Sequence, residues 1–338
     1  EMCIRDRDNM AALNFERLAY LRSLMKETRD FVANVYYPDL LAIAGAYKEW
    51  FGIGAGVTNY LAVPEFPEDA KSSRFALAGG MINEGDLQEI KPIVDHRDQP
   101  LIDGIRESVA HAWYEGSEPL HPWKGKTEPN YTGFQPNKRY SWCKAPRFAG
   151  QPVQVGPLAQ VLVSYATGNP RVRPLVDEAN AKLGITLDDY HSTMGRLLAR
   201  GIRARIMADL SLEYLDRLTA NLASGDETYA NPKEIPSGEL RGVGFHEAPR
   251  GTLSHWMVIK DRKIENYQAV VPTTWNASPR DEHGQAGPYE ASLVDNPVAQ
   301  PEKPLEVLRT IHSFDPCVAC AVHAVDPDGG EITQVKVQ

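Results

Sequence analysis

Asp315-Pro316-Cys317-Val318-Ala319-Cys320-Ala321-Val322-His323 lies close to the end of a 338-residue chain and holds two of its four cysteines. Thiolates spaced Cys-x-x-Cys can grip one soft metal ion or bridge a pair of them. The spacing alone leaves three readings open. A redox dithiol usually follows a strand in a thioredoxin-like unit, and no such unit surrounds this pair. A structural zinc needs four ligands, whereas Cys143 has no cysteine near it and the histidines are scattered. The third reading is one half of a larger thiolate site. Cys3 and Cys143 form no further sequence pair, so the chain is not a secreted disulfide framework and fits folding in a reducing compartment.

Composition sets broad limits. With 42% hydrophobic and 24% charged residues, a chain of this length can bury a large core without disulfides. A net charge of -9 gives no electrostatic footprint for DNA or RNA, so no nucleic-acid partner is expected. No apolar run approaches the roughly 18 residues of a spanning helix, and no signal-peptide layout opens the chain.

Working outward from the cysteines, Leu305–His312 reads as a short helix that delivers the chain to the motif. Residues 276–304 are loop-rich. Leu253–Ile259 and Ile264–Val271 alternate in the manner of strands around Lys260-Asp261-Arg262-Lys263, which predicts a hairpin with a polar tip. The longest element begins at a capping-box-like Thr186-Leu187-Asp188-Asp189. Leu187, Met194, Leu197, Leu198, Ile202, Ile206 and Leu210 then keep helical spacing, and the pattern runs to about Leu222. Such a rod spans roughly 50 Å and belongs at the centre of a helical bundle.

Further upstream, Gly156–Ala166 and Ile102–Tyr114 read as helices. Between them runs a Pro/Gly/Trp-rich loop, from Glu115 to about Gly150, with Trp123, Tyr131, Tyr140 and Trp142 as aromatic anchors for a partner or for the protein's own core. Residues 59–100 read as short strands and turns. Ala11–Tyr36 predicts a helix with Leu18, Leu21, Met25, Val32 and Val35 on one buried face, and a second helix follows from Pro38 to Tyr47. The cluster Gly52-Ile53-Gly54-Ala55-Gly56 is a weak phosphate-loop lookalike. It follows a helix, and Val57 stands where a third glycine belongs. Residues 1–10 show no apolar period and read as an unrelated start. The expected fold class is mainly α with smaller β elements (α+β), built as a long-helix bundle core.

Asp-Pro-Cys-x-x-Cys-x-x-His near a C-terminus resembles the terminal motif of the large subunit of nickel–iron hydrogenases. Other blocks resemble that family in the same order: Tyr140-Ser141-Trp142, Ala145-Pro146-Arg147, Val155-Gly156-Pro157-Leu158, Glu247-Ala248-Pro249-Arg250-Gly251, Asn266-Tyr267-Gln268, Pro272-Thr273-Thr274-Trp275-Asn276 and Pro279-Arg280-Asp281. The resemblance covers residues 11–323 and is nearest the membrane-associated, hydrogen-oxidising branch.

It implies a nickel and an iron held by four thiolates, the iron also carrying cyanide (CN) and carbon monoxide (CO), with a magnesium (Mg) nearby. Cys317 then resembles a terminal nickel ligand and Cys320 a thiolate bridging nickel and iron. Soft donors suit both metals. Arg250 resembles the arginine over the open face of the metals, Asp315 its carboxylate partner, Pro249 a lining residue, and Thr273 a hydroxyl facing an iron-bound cyanide. Alone, Arg250 would read as a surface ion pair, Asp315 as a turn residue and Thr273 as a strand residue. His323 resembles the last residue of the mature family protein. It is expected to help hold the magnesium together with the Ala269 carbonyl, and to mark where a maturation endopeptidase cuts. Residues 324–338 would then be a removable extension of a precursor, and 11–323 a single large unit with a β hairpin near 253–271.

The implied partners are an iron–sulfur small subunit, a membrane cytochrome b-type subunit and H2. The implied location is the periplasmic side of the cell membrane, as a peripheral protein exported with the small subunit. The family's first Cys-x-x-Cys, its proton-path glutamate and its acidic magnesium ligand have no counterpart in these residues. The expectation is therefore an N-terminally truncated chain with half of the metal ligands and no activity alone. The rival readings are a non-enzymatic scaffold of the complex I type, which has lost the metal thiolates, and a structural zinc protein.

Overall fold

A 31-residue helix forms the axis of the chain. The computed structural model describes residues 13–69, 74–226, 236–317, 322–325 and 331–335, the last two stretches as backbone only.

Helix α1 (Phe15–Phe31) is capped by Asn14, whose side chain accepts from the Arg17 amide. A π-helical turn, Val32–Tyr36, leads directly into α2 (Tyr37–Ala46). Pro38 has no N–H to continue the α ladder, and the helix widens just before it. The buried face expected along α1 is corrected here. Leu18 is buried, but Leu21, Leu24 and Val35 are 37%, 41% and 44% exposed. Apolar residues lie around much of α1, and its packing partner among the described residues, the axial helix, covers one side.

The strands that follow are short, as expected: β1 (Tyr60–Ala62), β2 (Glu65–Pro67), β3 (Phe75–Leu77), β4 (Gly79–Ile82) and β5 (Lys91–Ile93). They form an antiparallel β1-β4-β5 sheet and a β2-β3 pair. The helix expected over Ile102–Tyr114 does not form. Helix α3 (Gln99–Asp103) stops at Gly104, and β6 (Ile105–Ser108) pairs antiparallel with β7 (Ala145–Phe148). Buried Ile105, exposed Arg106 and buried Glu107 alternate with the two-residue period of a strand, which overrides the apolar count.

Then come α4 (Pro157–Ala166), α5 (Arg173–Leu183), which was not anticipated, and the axial helix α6 (Thr193–Ala223). Thr186 and Asp189 do bond, with the Thr186 amide 2.7 Å from Asp189 Oδ2, but only a single 3-10 turn follows. The cap of α6 is Ser192, whose Oγ accepts from the Gly195 amide at 2.9 Å.

The expected hairpin forms as β9 (Gly251–Lys260) and β10 (Lys263–Val270), and β8 (Glu239–Ala248) pairs on the other side of β9 to complete a three-stranded meander. Two interior glycines and a largely exposed outer half hid β8 from its alternation pattern. Helices α7 (Pro272–Asn276), α8 (Pro288–Leu293) and α9 (Leu305–Ser313) bring the chain to the cysteines. Beyond them β11 (Val322–Val325) pairs antiparallel with β12 (Glu331–Val335), so His323 lies opposite Gln334. Residues 331–335 thus lie antiparallel to 322–325, beside the junction where cleavage is expected.

Two apolar clusters hold these elements. One gathers α2, α4, α5 and α6 with Tyr60 and Ile82; the other joins Leu61 and Ile105 to Trp256 of β9 and Trp275 of α7. The first half of α6 is buried on nearly all sides, as befits a central helix. Among the described residues no helix is long and apolar enough to cross a membrane.

Candidate functional site

Arg250 sits in the two-residue turn between β8 and β9. Gly251, at φ +127°, lets that turn press on the start of α4; a Cβ there would lie 2.5 Å from the Gly156 nitrogen. The turn is thereby fixed against a second glycine and aims the arginine at the end of α9. Arg250 Nε donates to the Asp315 carbonyl at 3.0 Å and a terminal nitrogen reaches Asp315 Oδ1 at 3.3 Å. Asp315 turns the chain out of α9 in the left-handed region (φ 57°), which aspartate tolerates. Both side chains are about two-fifths exposed, so this pair orients Arg250 more than it stabilises the fold.

Thr273 is the second residue of α7, not a strand residue, and is buried. Its Oγ1 accepts from the Cys317 amide at 3.1 Å. An accepting hydroxyl keeps its own proton free to donate. Cys317 itself is exposed. Pro249 and Asp315 border a cavity of about 320 Å³ shared with Arg200, Arg203, His246 and Glu247. Arg250, Asp315, Thr273, Cys317 and Pro249 are therefore one neighbourhood. Ala269 lies on β10 opposite His255 and shares no hydrogen bond with that group among the described residues. Cys320 lies outside the described residues, as does the side chain of His323.

Several residues at the site carried no signal in the motif. Arg196, Arg200 and Arg203 share one side of α6. Arg196 donates to the Gly54 carbonyl at 2.8 Å and lies 3.9 Å over the Phe314 ring. Arg200 donates to the Ser313 carbonyl at 2.9 Å, and Arg203 to the Glu247 and Ala248 carbonyls at 2.7 and 2.8 Å. Three guanidinium groups thus tie both flanks of the site to one rod. Burial pulls each below the usual arginine range, Arg196 to about 9, still protonated at neutral pH. The spacing of 196, 200 and 203, charged positions inside an apolar helical stretch, was the available signal.

The blocks that carry the family resemblance also meet in space. Buried Arg147 donates to Asp281 at 2.6 Å and to the carbonyls of Pro279 and Gln285. Asn276 exchanges hydrogen bonds with both backbone groups of Val155. Beside Ala269, Gln268 Oε1 accepts from Lys144 and Thr127. Lys144 approaches Glu107 to 3.9 Å; burial pushes the carboxyl up and the amine down.

The donor set agrees in kind with a soft metal in its thiol, Cys317; Arg250 and Thr273 add N–H and O–H groups nearby rather than ligands. It does not agree in number. Among the described residues no group of three or more His, Cys, Asp or Glu side chains is arranged to hold an ion, and Cys317 and Cys320 supply two thiolates at most.

The sequence matches the family described as nickel-dependent hydrogenase over residues 1–323. It is 49% identical over 337 residues to the Hydrogenase-2 large chain of Escherichia coli (strain K12), covering 98% of this chain and 59% of that protein. It is 43% identical to the uptake hydrogenase large subunit of Bradyrhizobium diazoefficiens, covering 97% of this chain and 59% of the relative. The fold superposes on the H2-activated [NiFeSe]-hydrogenase of Dm. baculatum with a TM-score of 0.78 at 35% identity, over 92% of this chain and 61% of that one. The chain thus spans about three-fifths of the length of the relatives it matches.

Proposed function

This chain belongs to the nickel-dependent hydrogenase family, and from that we propose that it is part of a catalytic large subunit that oxidises H2 reversibly to protons and electrons. The observation that carries the reading is the convergence of Arg250, Asp315 and Thr273 on the backbone that presents Cys317. We extend it to a four-thiolate nickel–iron group with CN and CO on the iron, of which Cys317 and Cys320 supply half. A magnesium is held in part by His323 and the Ala269 carbonyl. The partners are an iron–sulfur small subunit and a cytochrome b-type membrane subunit, at the periplasmic side of the membrane. An endopeptidase removes 324–338.

When bound, the nickel–iron group supplies the electrophilic centre at which H2 is polarised and split. The chain's own residues do the rest. Cys317 Sγ would be the better proton acceptor, because sulfur offers lone pairs and a guanidinium has donors only. Arg250 contributes directed N–H donors and positive charge where negative charge develops. Asp315 fixes its approach. Thr273 holds the Cys317 amide with its lone pair, and its hydroxyl proton would be available to a cyanide nitrogen of the bound group.

Arg250→Lys in the intact complex is expected to lower turnover on the order of 100-fold or more, with nickel content unchanged. Wild-type turnover in that variant overturns the assignment. Elemental analysis of the intact complex is expected to find nickel with iron; zinc alone, or no metal, overturns the reading.

A further inference from the structure

The bond after His323 lies inside a β ladder. Strand β11 (Val322–Val325) runs antiparallel to β12 (Glu331–Val335), with Val322 opposite Val335, His323 opposite Gln334 and Ala324 opposite Thr333. In such a pair every second residue turns both its N–H and its C=O to the partner strand. If His323 is one of these, its carbonyl faces β12; if Ala324 is, its N–H does. Either way, one end of the peptide unit between them is tied across the ladder. The register shifts immediately beyond, where Val325 stands opposite Glu331 and Ile332 is the extra residue of a bulge. The sequence favours this pairing. Val322, Val325, Ile332, Thr333 and Val335 are β-branched, and Asp326-Pro327-Asp328-Gly329-Gly330 between the strands are all turn formers.

We propose that β12 masks the junction after His323, so that the chain is cut there only from a form in which 331–335 has let go of 322–325. The proposal rests on the functional reading above, which puts the endopeptidase cut at that bond. Hydrolysis adds one water across it. The C–N bond breaks, the hydroxyl joins the His323 carbonyl carbon, and the remaining hydrogen joins the Ala324 nitrogen. The endopeptidase has to reach that carbon, and an extended peptide is held by pairing its backbone groups to the protein that binds it. Backbone groups already paired with β12 compete with that binding. When opening and closing are fast, cleavage follows the population of the opened form. A two-stranded hairpin alone is only marginally stable, so opening is within thermal reach and small changes in β12 shift it. The tail thereby sets the pace of its own removal.

The test uses the unprocessed full chain and two variants that leave the site untouched. Thr333→Pro removes a backbone N–H from β12 and fits a ladder poorly; deletion of 331–338 removes the strand itself. In the wild type, the 322–325 amides are expected to exchange hydrogen more slowly than in a free peptide of the same sequence, and in both variants to exchange faster than in the wild type. In the producing cells, mass spectrometry of pulse-labelled chain follows the cut after His323. Both variants are expected to be cut on the order of threefold faster, with nickel content unchanged, and faster cutting in either supports the mask. Wild-type amides that exchange as freely as the peptide, or freed amides with cutting no faster in either variant, overturn the mask alone. A wild-type chain never cut after His323 overturns the precursor reading beneath it.

Discussion

Thr273 ties the start of α7 to the backbone of Cys317. Thr273→Val removes the acceptor for the Cys317 amide and is expected to cost about 1 kcal/mol. It also lets the cysteine backbone loosen, so nickel retention on dialysis falls; Thr273→Ser keeps it. Glu247 gives the molecule a pH signature of its own. The folded carboxyl keeps its proton to about pH 8, while the unfolded one releases it near the ordinary 4.5. Between those values unfolding releases a proton, so stability declines as pH rises through the window and levels off above it. Glu247→Gln is expected to flatten that part of a melting-temperature profile. Cys317, Asp315 and Arg250 were legible because short motifs hold them. Glu247 stood inside one of those motifs without a readable role. Its protonation is decided by Val63, Thr252, Arg203 and Glu65, which come from distant parts of the chain.

At the scale of elements, local chemistry sets boundaries and tertiary pairing sets type. Ser192→Ala is expected to destabilise the fold by about 1 kcal/mol in denaturant melts, and Thr186→Ala by less, since Thr186 closes only a 3-10 turn. Gly251→Ala is expected to cost more than either, because its Cβ would meet the Gly156 backbone and its φ is unfavourable for alanine. The long helix was legible because its period is sustained over many turns. Residues 102–114 were misread because β6 is four residues long and draws its identity from β7 across an intervening loop. A short apolar run cannot reveal its partner.

At the scale of the whole molecule, α1 and α2 leave Phe15, Tyr20, Leu24, Phe31 and Ile43 between 41% and 87% exposed. Contiguous apolar surface favours association. The chain as given is expected to bind a hydrophobic dye and to sediment faster as concentration rises, and Leu24→Glu with Phe31→Glu should reduce both effects. The face expected to be buried was a different one, Leu18, Leu21, Met25, Val32 and Val35, and of it Leu18 is buried while Leu21 and Val35 are 37% and 44% exposed. What spacing cannot say is which neighbour covers an apolar side.

The three arginines of α6 have a consequence for precision. Gly54, Ala248 and Ser313 are remote in sequence, yet each carbonyl is pinned to the same rod. Motion of that rod is common to the turn bearing Arg250 and the segment bearing Cys317, and so it cancels in the distance between them. Outer layers can breathe while Arg250 and Cys317 keep their spacing. In amide hydrogen exchange the segments around those carbonyls should therefore open together, as one cooperative unit, well after the surface loops.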